Sequence, residues 1–288
     1  MLSRCGDLDT LVAETVAGMS DLLGGDHTML LLVDEDQQRL FTIASHGYGD
    51  EGVGSEVAYG EGTVGMAAVR CEPVRVGNLL QMAKYSRTIR RRYEASGEMG
   101  PGREIPVPGL ARADSRLAVP AVALGQLVGV LVAESAEADR YTDADIAATA
   151  VVAALVAGAI EGIRNEERLA AAGTADPLPP PRPDTGPGQG AVHVRFFAVD
   201  GSTFLDGDYL IKGVAGRLLW SLLNQHEHEG RTDFTNREVR LDPTLDLPDF
   251  RDNLESRLIL LKRRLDEREA PVRIEKAGRG RFRLLVRA

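Results

Sequence analysis

The stretch SRLAVPAVALGQLVGVLVAES, residues 115 to 135, decides the fold of the first half of the chain. Two apolar segments rich in valine flank a short interruption at Gly125 and Gln126. Runs of β-branched residues on both sides of a two-residue glycine turn are typical of a β-hairpin. The sequence therefore predicts two antiparallel strands here, with Gly125 and Gln126 as their turn.

The sequence before this hairpin predicts one helix, two strands and a glycine-rich loop. Apolar residues recur at helical spacing from Leu8 to Leu23, which predicts the first helix. The segments TMLLLVDE and RLFTIASHG, separated by polar residues, predict a pair of strands. The stretch GEGTVGMAAVRCEPVRV then predicts a loop, a short helix and a further strand.

A long helix follows the hairpin. Thr142 stands at its N-cap and Asp145 three residues later, which is close to a capping box. Apolar side chains lie on more than one side of this helix; they are Ile146, Ala150, Val151, Val152, Ala153, Leu155, Val156, Ala157, Ile160 and Ile163. A helix that is apolar on two sides needs two partners. We expect one side to pack on the sheet and the other to pair with a second copy of the chain and with the first helix.

The order of these elements resembles the GAF domain family over residues 8–165. The resemblance rests on residues 60–76 for the glycine, helix and strand stretch, on 119–135 for the central hairpin and on 140–162 for the closing helix. It implies an antiparallel sheet flanked by helices, in a domain that binds a small molecule or carries dimer contacts. The residues name neither the ligand nor a cofactor.

A proline- and glycine-rich stretch divides the chain. Residues 173–190, GTADPLPPPRPDTGPGQG, lack apolar periodicity and predict an extended linker. A length of 288 residues suits two domains that each bury a core. We therefore predict a sensory and dimerisation domain at residues 1–172, a linker at 173–191 and a second domain at 192–288.

Charge is distributed unevenly between these parts. The net charge of the chain is −9, yet residues 192–288 hold 18 basic and 16 acidic side chains, whereas residues 1–191 hold 16 and 27. From Phe250 onwards there are 12 basic and 6 acidic residues. The C-terminal end therefore suits a polyanionic partner, and the N-terminal part does not.

The second domain is predicted as short strands, three helices and a terminal hairpin. Thr235 and Glu238 mark a capping box at the start of a short second helix. In the closing stretch GRGRFRLLV, arginine and apolar residues alternate after a glycine turn, which predicts a hairpin with a basic tip. The third helix carries one apolar stripe, formed by Phe250, Leu254, Leu258, Leu261 and Leu265.

Residues 192–288 resemble a winged helix-turn-helix of the response-regulator output type (OmpR-like). FTNREVRLD matches its second helix, NLESRLILLKRRLDE its recognition helix and IEKAGRGRFRLLV its wing. The resemblance implies that the third helix enters the major groove and that the wing contacts the DNA backbone. The residues expected to contact DNA are Asn253, Ser256, Arg257, Leu260, Arg263 and Arg264 on the outward side of the helix, and Arg279, Arg281 and Arg283 on the wing.

Two features leave alternatives open. Ile259 and Leu260 stand where the winged-helix family has basic residues, and exposed aliphatic side chains also suit a protein interface. Cys71 follows Arg70, which favours a redox-reactive thiolate, but a free cysteine is also a good small core residue. The alternative function is therefore a signalling adaptor whose winged helix binds a protein partner.

The residues predict an α+β protein that is a one-component transcription regulator: a GAF-like sensor joined to a winged-helix DNA-binding domain. No catalytic motif and no metal-ligand spacing is found, so neither an enzyme nor a metal site is expected. Two cysteines outside any CxxC pair fit the cytoplasm. The longest apolar run, residues 150–160, is too short to span a bilayer. The expected partners are double-stranded DNA, a second copy of the chain and a small-molecule effector, but no membrane.

Overall fold

The structure is a computed structural model that divides into two compact units, Met1–Ile163 and Arg164–Ala288. The residues that it describes are 7–24, 27–34, 38–48, 52–79, 108–110, 112–173, 192–199, 201–245, 254–278 and 280–286. The predicted linker at 173–191 lies almost entirely outside these residues, as do Phe250, Asn253 and Arg279.

The first unit is built on one six-stranded antiparallel sheet. Its helices in the described residues are α1 (Leu8–Leu22), α2 (Gly62–Arg70) and α3 (Asp143–Gly173), of which α3 runs past Ile163 into the second unit. Its strands are β1 (His27–Asp34), β2 (Arg39–His46), β3 (Glu56–Ala58), β4 (Val74–Val76), β5 (Ser115–Ala123) and β6 (Gln126–Ser135). The strand order is β3-β2-β1-β6-β5-β4, so the predicted strand pair and the predicted hairpin lie side by side. Strand β3 was not predicted, because three residues are too few to show a period of two.

Each face of this sheet is covered by a helix. Thr28 on β1 donates a hydrogen bond from Oγ1 to the carbonyl oxygen of Val16 on α1, at 2.6 Å. The next residue, Met29, packs in one cluster with Val64 and Ala67 of α2. Since consecutive residues of a strand point to opposite faces, α1 and α2 lie on opposite faces of the sheet.

The hairpin of residues 115–135 is confirmed, but its turn lies one residue earlier than predicted. Ala123 pairs with Gln126, so the turn consists of Leu124 and Gly125. Their φ angles are 51° and 75°. Positive φ at both positions is characteristic of a type I′ turn, which follows the twist of a hairpin and commonly has glycine at its second position. Gln126 is therefore the first residue of the returning strand.

Helix α3 begins with the predicted capping box. The Thr142 backbone N–H donates to Asp145 Oδ2 at 2.7 Å, and the Asp145 backbone N–H donates to Thr142 Oγ1 at 3.3 Å. The first of these hydrogen bonds and a second from the Thr142 hydroxyl hold the pKa of the Asp145 carboxyl below its usual value. The two residues satisfy backbone groups that a helix end leaves without intrahelical partners.

Helix α3 is apolar on two sides, and one of them is exposed. Val151 and Leu155 are 61% and 59% exposed. The residues of α3 that are fully buried on the other side are Ala153, Val156, Ala157 and Ile160. By length and composition, Asp143–Glu166 is sufficient to cross a membrane, with a mean hydropathy of 2.1. The helix that contains the run 150–160 is therefore longer than the run by itself indicated, and the absence of a membrane partner stays a prediction.

In the residues described from 192 onwards, the second unit contains two three-stranded sheets and three helices. The first sheet consists of β7 (Val194–Phe197), β8 (Ser202–Leu205) and β9 (Asp208–Ile211) in that order. The second consists of β10 (Asp233–Thr235), β12 (Arg281–Val286) and β11 (Val272–Lys276), with β12 in the centre. The helices are α4 (Gly213–Glu229), α5 (Asn236–Arg240) and α6 (Leu254–Glu267), with a 3₁₀ turn at Pro243–Leu245.

Helix α6 lies in the core of the second unit. It packs against α4, α5, β9 and β11. The described part of the predicted apolar stripe is buried; it consists of Leu254, Leu258, Leu261 and Leu265. Helix α5 begins with the predicted capping box of Thr235 and Glu238.

The terminal hairpin is confirmed. Val272 pairs with Val286 and Lys276 with Phe282. In the turn, the Ala277 N–H donates to the Arg281 carbonyl oxygen at 2.9 Å. Phe282 is buried in β12 at alternate positions with two arginines, so the sheet has one apolar and one charged face, as the alternation predicts.

Candidate functional site

A carboxylate is buried on the sheet face that α2 covers. Glu134, near the end of β6, has no exposed surface and follows Val130 and Val132 at alternate positions. Those valines pack in the same cluster as Val64 of α2, so the Glu134 side chain points to the same face. Because an isolated buried charge is costly, the groups that contact Glu134 determine its role.

Three groups from the rest of the unit contact the two oxygens of Glu134. Oε1 accepts a hydrogen bond from Arg116 Nε at 2.6 Å and forms an ion pair with the same guanidinium. Oε2 accepts from the Tyr48 hydroxyl at 3.2 Å and from the Leu110 backbone N–H at 2.9 Å. Arg116 also donates to Thr63 Oγ1 at the start of α2, at 3.3 Å. We call Tyr48, Thr63, Leu110, Arg116 and Glu134 the Glu134 cluster.

The Glu134 cluster joins distant segments of the first unit. Arg116 and Glu134 are direct cross-strand neighbours on β5 and β6, whereas Tyr48 follows β2 and Leu110 lies shortly before β5. A charged ligand group would compete with one member of this ion pair for the other. A cationic group competes with Arg116 for the carboxylate, and an anionic group competes with Glu134 for the guanidinium.

Sequence reasoning missed this cluster. The available signal was a single glutamate in the predominantly apolar strand VGVLVAES. Glu134 follows Val130 and Val132 at every second position, so it points to the same face of the sheet as these valines. A charged residue at a core-facing position indicates a buried partner of opposite charge. The identity of the partner depends on strand pairing.

Burial raises the pKa of the Tyr48 hydroxyl above its usual range, and the negative charge of Glu134 and the hydrogen bond to it add to this rise. The folded state therefore retains this proton more strongly than the unfolded state. The stabilisation is complete below the unfolded pKa of about 10 and is lost as the pH rises through the higher folded pKa.

We expect the free energy of unfolding to fall between about pH 9 and pH 11, and to fall less steeply in Tyr48→Phe, which cannot ionise. Urea unfolding of both proteins at the two pH values measures the difference. Parallel losses in the two proteins would mean that Tyr48 ionisation is not linked to folding.

Four of the six residues predicted to face outward on α6 are buried, and that prediction is wrong for them. Ser256, Arg257, Leu260 and Arg264 are at most 7% exposed, and Arg263 is half-buried. The reason is that α6 contacts helices and strands on several sides, so its leucine stripe is not the only covered face.

Arg264 shows what such a buried arginine does. Its Nε donates to the carbonyl oxygen of Leu210 on β9 at 2.9 Å, and its guanidinium pairs with Glu267 one turn along α6. These contacts fasten α6 to the first sheet of the second unit. Arg264 is therefore a structural residue in this fold.

Carboxylates flank Arg283 on the charged face of the hairpin sheet. In the strand register it lies opposite Asp233 on β10 and opposite Glu275 on β11. Its Nε donates to Asp233 Oδ1 at 2.9 Å, and a second guanidinium nitrogen lies 2.7 Å from the same oxygen. The charge of Arg283 is thus already compensated within the sheet.

Cys71 is exposed, so the interpretation as a core residue is wrong; its redox reactivity stays a prediction. The residue ends α2 in the left-handed conformation, with φ 51° and ψ 35°. Helices commonly end in this conformation on a glycine, because any Cβ makes it strained.

We expect Cys71→Gly to raise the free energy of unfolding by about 1 kcal/mol, because glycine removes the strain of the left-handed conformation. Cys71→Ala keeps a Cβ at this position and serves as the matched control, with stability close to that of the wild type. Thermal unfolding of the three proteins provides the comparison. A glycine variant no more stable than the alanine variant would contradict the prediction.

The described residues hold no group of three or more His, Cys, Asp or Glu side chains that is arranged to bind a metal ion. A polar cleft of about 540 Å³ lies beside β4. Arg75 in this cleft donates to the Tyr141 carbonyl oxygen at 3.1 Å and to Asp143 Oδ1 at 2.9 Å. The Arg75 guanidinium is thus bound to two of the other residues that line the cleft.

Comparison with solved structures finds similar folds at low identity. The GAF domain from the Acinetobacter phosphoenolpyruvate-protein phosphotransferase is 23% identical, with a TM-score of 0.45, and the match covers 61% of this chain and 91% of that one. A free methionine-R-sulfoxide reductase from Neisseria meningitidis is 19% identical, with a TM-score of 0.44 and coverage of 57% and 84%. A putative GAF sensor protein from Burkholderia vietnamiensis is 18% identical, with a TM-score of 0.43 and coverage of 57% and 84%.

No curated protein matches the chain. The family model of the GAF domain matches residues 5–161, which is more than half of the 288 residues. The antiparallel sheet with helices on both faces agrees with this match. The chain therefore belongs to the GAF domain family.

Proposed function

We propose that this protein is a one-component transcription regulator in which a GAF sensing unit controls a DNA-binding second unit. The proposal rests on the order of the helices and strands in the second unit and on the pairing of its strands. Three helices precede a hairpin, and β10, between the first and second helix, pairs with the hairpin strand β12. This order supports a winged helix-turn-helix, whose third helix enters the major groove of DNA.

The proposed DNA surface is smaller than the sequence suggested. It contains Arg263 on α6 and Arg281 next to the hairpin turn, which supply positive charge for phosphates. Arg283 contributes less, because the carboxylate of Asp233 already compensates its charge. Asn253 and Arg279 remain predicted contacts, and they lie outside the described residues.

A mobility-shift assay over a salt series tests this function. DNA affinity of the wild type is expected to fall steeply as the salt concentration rises, because phosphate contacts release counterions. In a plot of log affinity against log salt concentration, Arg281→Ala is expected to make the slope shallower by about 0.9, which is the contribution of one phosphate contact.

Arg283→Ala is the matched control two residues away on the same face of β12, and it is expected to change the slope less than Arg281→Ala. Exposed ion pairs contribute only about 0–1 kcal/mol, so both variants should remain folded. Absence of salt-sensitive DNA binding by the wild type would contradict the proposed function.

The adaptor alternative placed its protein interface on Ile259, Leu260 and the wing, and it loses the helix part of that interface. It required Ile259 and Leu260 to be exposed on α6, and they are 6% and 3% exposed. Side chains that are covered in the folded chain offer little surface to a protein partner. Transcription regulation is therefore the function we propose.

The proposal includes a homodimer held by the GAF unit. The exposed side of α3 carries Val151 and Leu155 beside small residues, and exposed apolar patches on soluble proteins mark interaction sites. Gly158 on α3 and Gly18 on α1 have no heavy atom within 4 Å of the place where a Cβ would stand. A second backbone can therefore approach closely at these positions, and a twofold pair would present two second units to one DNA.

The proposal also includes a small-molecule effector, and it assigns the Glu134 cluster as the place where the effector acts. Support comes from the ion pair of Arg116 and Glu134, which a charged effector group can exchange. We assign no cofactor and no catalysis to the protein, and we propose that it works in the cytoplasm without a membrane anchor.

A further inference from the structure

The first residue of α5 contacts the hairpin turn. The Asn236 backbone N–H donates to the carbonyl oxygen of Gly280 at 2.9 Å. This N–H belongs to the first turn of a helix, where backbone donors have no intrahelical acceptor. The turn of the hairpin therefore satisfies a donor that α5 cannot satisfy itself.

The side chain of the same residue contacts α6. Asn236 is 5% exposed, and its Nδ2 donates to Glu255 Oε2 in the first turn of α6 at 3.0 Å. A carboxylate only accepts hydrogen bonds, so the amide nitrogen must face Glu255. The bond is partly buried, and a hydrogen bond to a charged acceptor is stronger than one to a neutral acceptor.

Asn236 thus connects the hairpin turn, beside which the proposed function puts Arg281 on DNA, to the first turn of α6, the helix that carries Arg263. Its two hydrogen bonds run to Gly280 and Glu255, which are 25 positions apart in sequence. Both bonds have ordinary lengths and Asn236 is buried, so the residue restricts how these two places move relative to each other.

We propose that Asn236 is a positioning residue for DNA binding, which holds the hairpin turn and α6 in the relative position that lets both engage one duplex. The inference rests on the proposed function. Two contacts held at a fixed separation bind together without a further ordering cost, whereas two independent contacts each pay that cost on binding. If Asn236 acts in this way, the loss of a DNA contact on the hairpin and the loss of the Asn236 hydrogen bond have effects on DNA affinity that are not additive.

The experiment is a double-mutant cycle on DNA affinity in the full chain. The variants are Asn236→Ala, Arg281→Ala and the combination of both, and the probe is a duplex selected by the wild type from a random-sequence pool. Asn236→Ala removes the side-chain hydrogen bond to Glu255 and keeps the backbone bond to Gly280. Fluorescence of Trp220, the single tryptophan and a residue of the second unit, verifies that each variant is folded.

Asn236→Ala is expected to weaken binding about tenfold, and Arg281→Ala is expected to cost clearly less in the Asn236→Ala background than in the wild type. The double variant Asn236→Asp/Glu255→Gln exchanges donor and acceptor and keeps the net charge. It should restore the full effect of Arg281→Ala, whereas Asn236→Asp alone places two carboxylates side by side and should not.

Three outcomes decide the proposal. If the effects of Asn236→Ala and Arg281→Ala multiply without coupling while all variants are folded, Asn236 is structural only and the proposal is overturned, although the proposed function stands. If the wild type selects no duplex, the proposed function fails and the role of Asn236 fails with it. Coupling that the exchange variant restores supports both.

Discussion

Arg116→Ala is expected to lower the free energy of unfolding of the GAF unit by about 3–5 kcal/mol. The change removes the cation that pairs with Glu134, whose carboxylate has no exposed surface. A buried carboxylate without its counter-charge stays ionised at high cost or takes up a proton, and either process destabilises the folded state at neutral pH. Urea unfolding followed by circular dichroism measures the loss.

The control for this prediction removes both charges. In Arg116→Met/Glu134→Leu the buried pair is replaced by apolar side chains, which is often close to neutral for stability, so most of the loss should be recovered. Fluorescence of Trp220 reports the second unit and should show the same transition in every variant. A loss below about 1 kcal/mol in Arg116→Ala would contradict the prediction, since exposed ion pairs contribute that little.

Val151→Glu/Leu155→Glu is expected to convert the protein from a dimer to a monomer. Both side chains are more than half exposed in the single chain, so the fold should tolerate the change. In the proposed dimer they lie against a second copy, where a twofold axis brings the new carboxylates close to their counterparts. Light scattering at micromolar concentration should give twice the 31.0 kDa chain mass for the wild type and 31.0 kDa for the variant.

Val199→Glu is the matched control for the dimer. Val199 is fully exposed and lies in the second unit, so a charge there should leave the dimer intact. A wild type that is monomeric under these conditions would contradict the proposal. Asp143–Glu166 is also long and apolar enough to cross a membrane. Co-sedimentation of the wild type with added lipid vesicles would therefore contradict the proposal as well, because the exposed side of α3 would then face lipid and not a second copy.

The elements that the sequence predicted correctly depend on neighbouring residues. The capping boxes at Thr142 and Thr235 join residues three positions apart, and the closing hairpin follows from alternation around a glycine turn. Such signals lie within one turn of helix or one strand pair, so they can be found without knowing the rest of the fold. The hairpin turn at Leu124 was misplaced by one residue because both register choices keep a glycine in the turn.

Only the tertiary structure decided which sides of α6 are buried. Its leucine stripe correctly predicted one buried side, but Arg257 and Leu260 are buried as well. A helical pattern identifies an apolar stripe and carries no information on how many other elements pack around the helix. Those elements include β9 and β11, which lie on either side of α6 in the chain.

The tertiary structure also decided which polar and charged side chains contact one another, because the partners lie far apart in sequence. Glu134 meets Tyr48 across 86 positions and Arg283 meets Asp233 across 50. Composition alone determined that the C-terminal end is basic and residues 1–191 are acidic. Which of those charges remain available for a partner depends on strand register, because a one-residue shift in register moves a side chain to the opposite face of the sheet and away from its counter-charge.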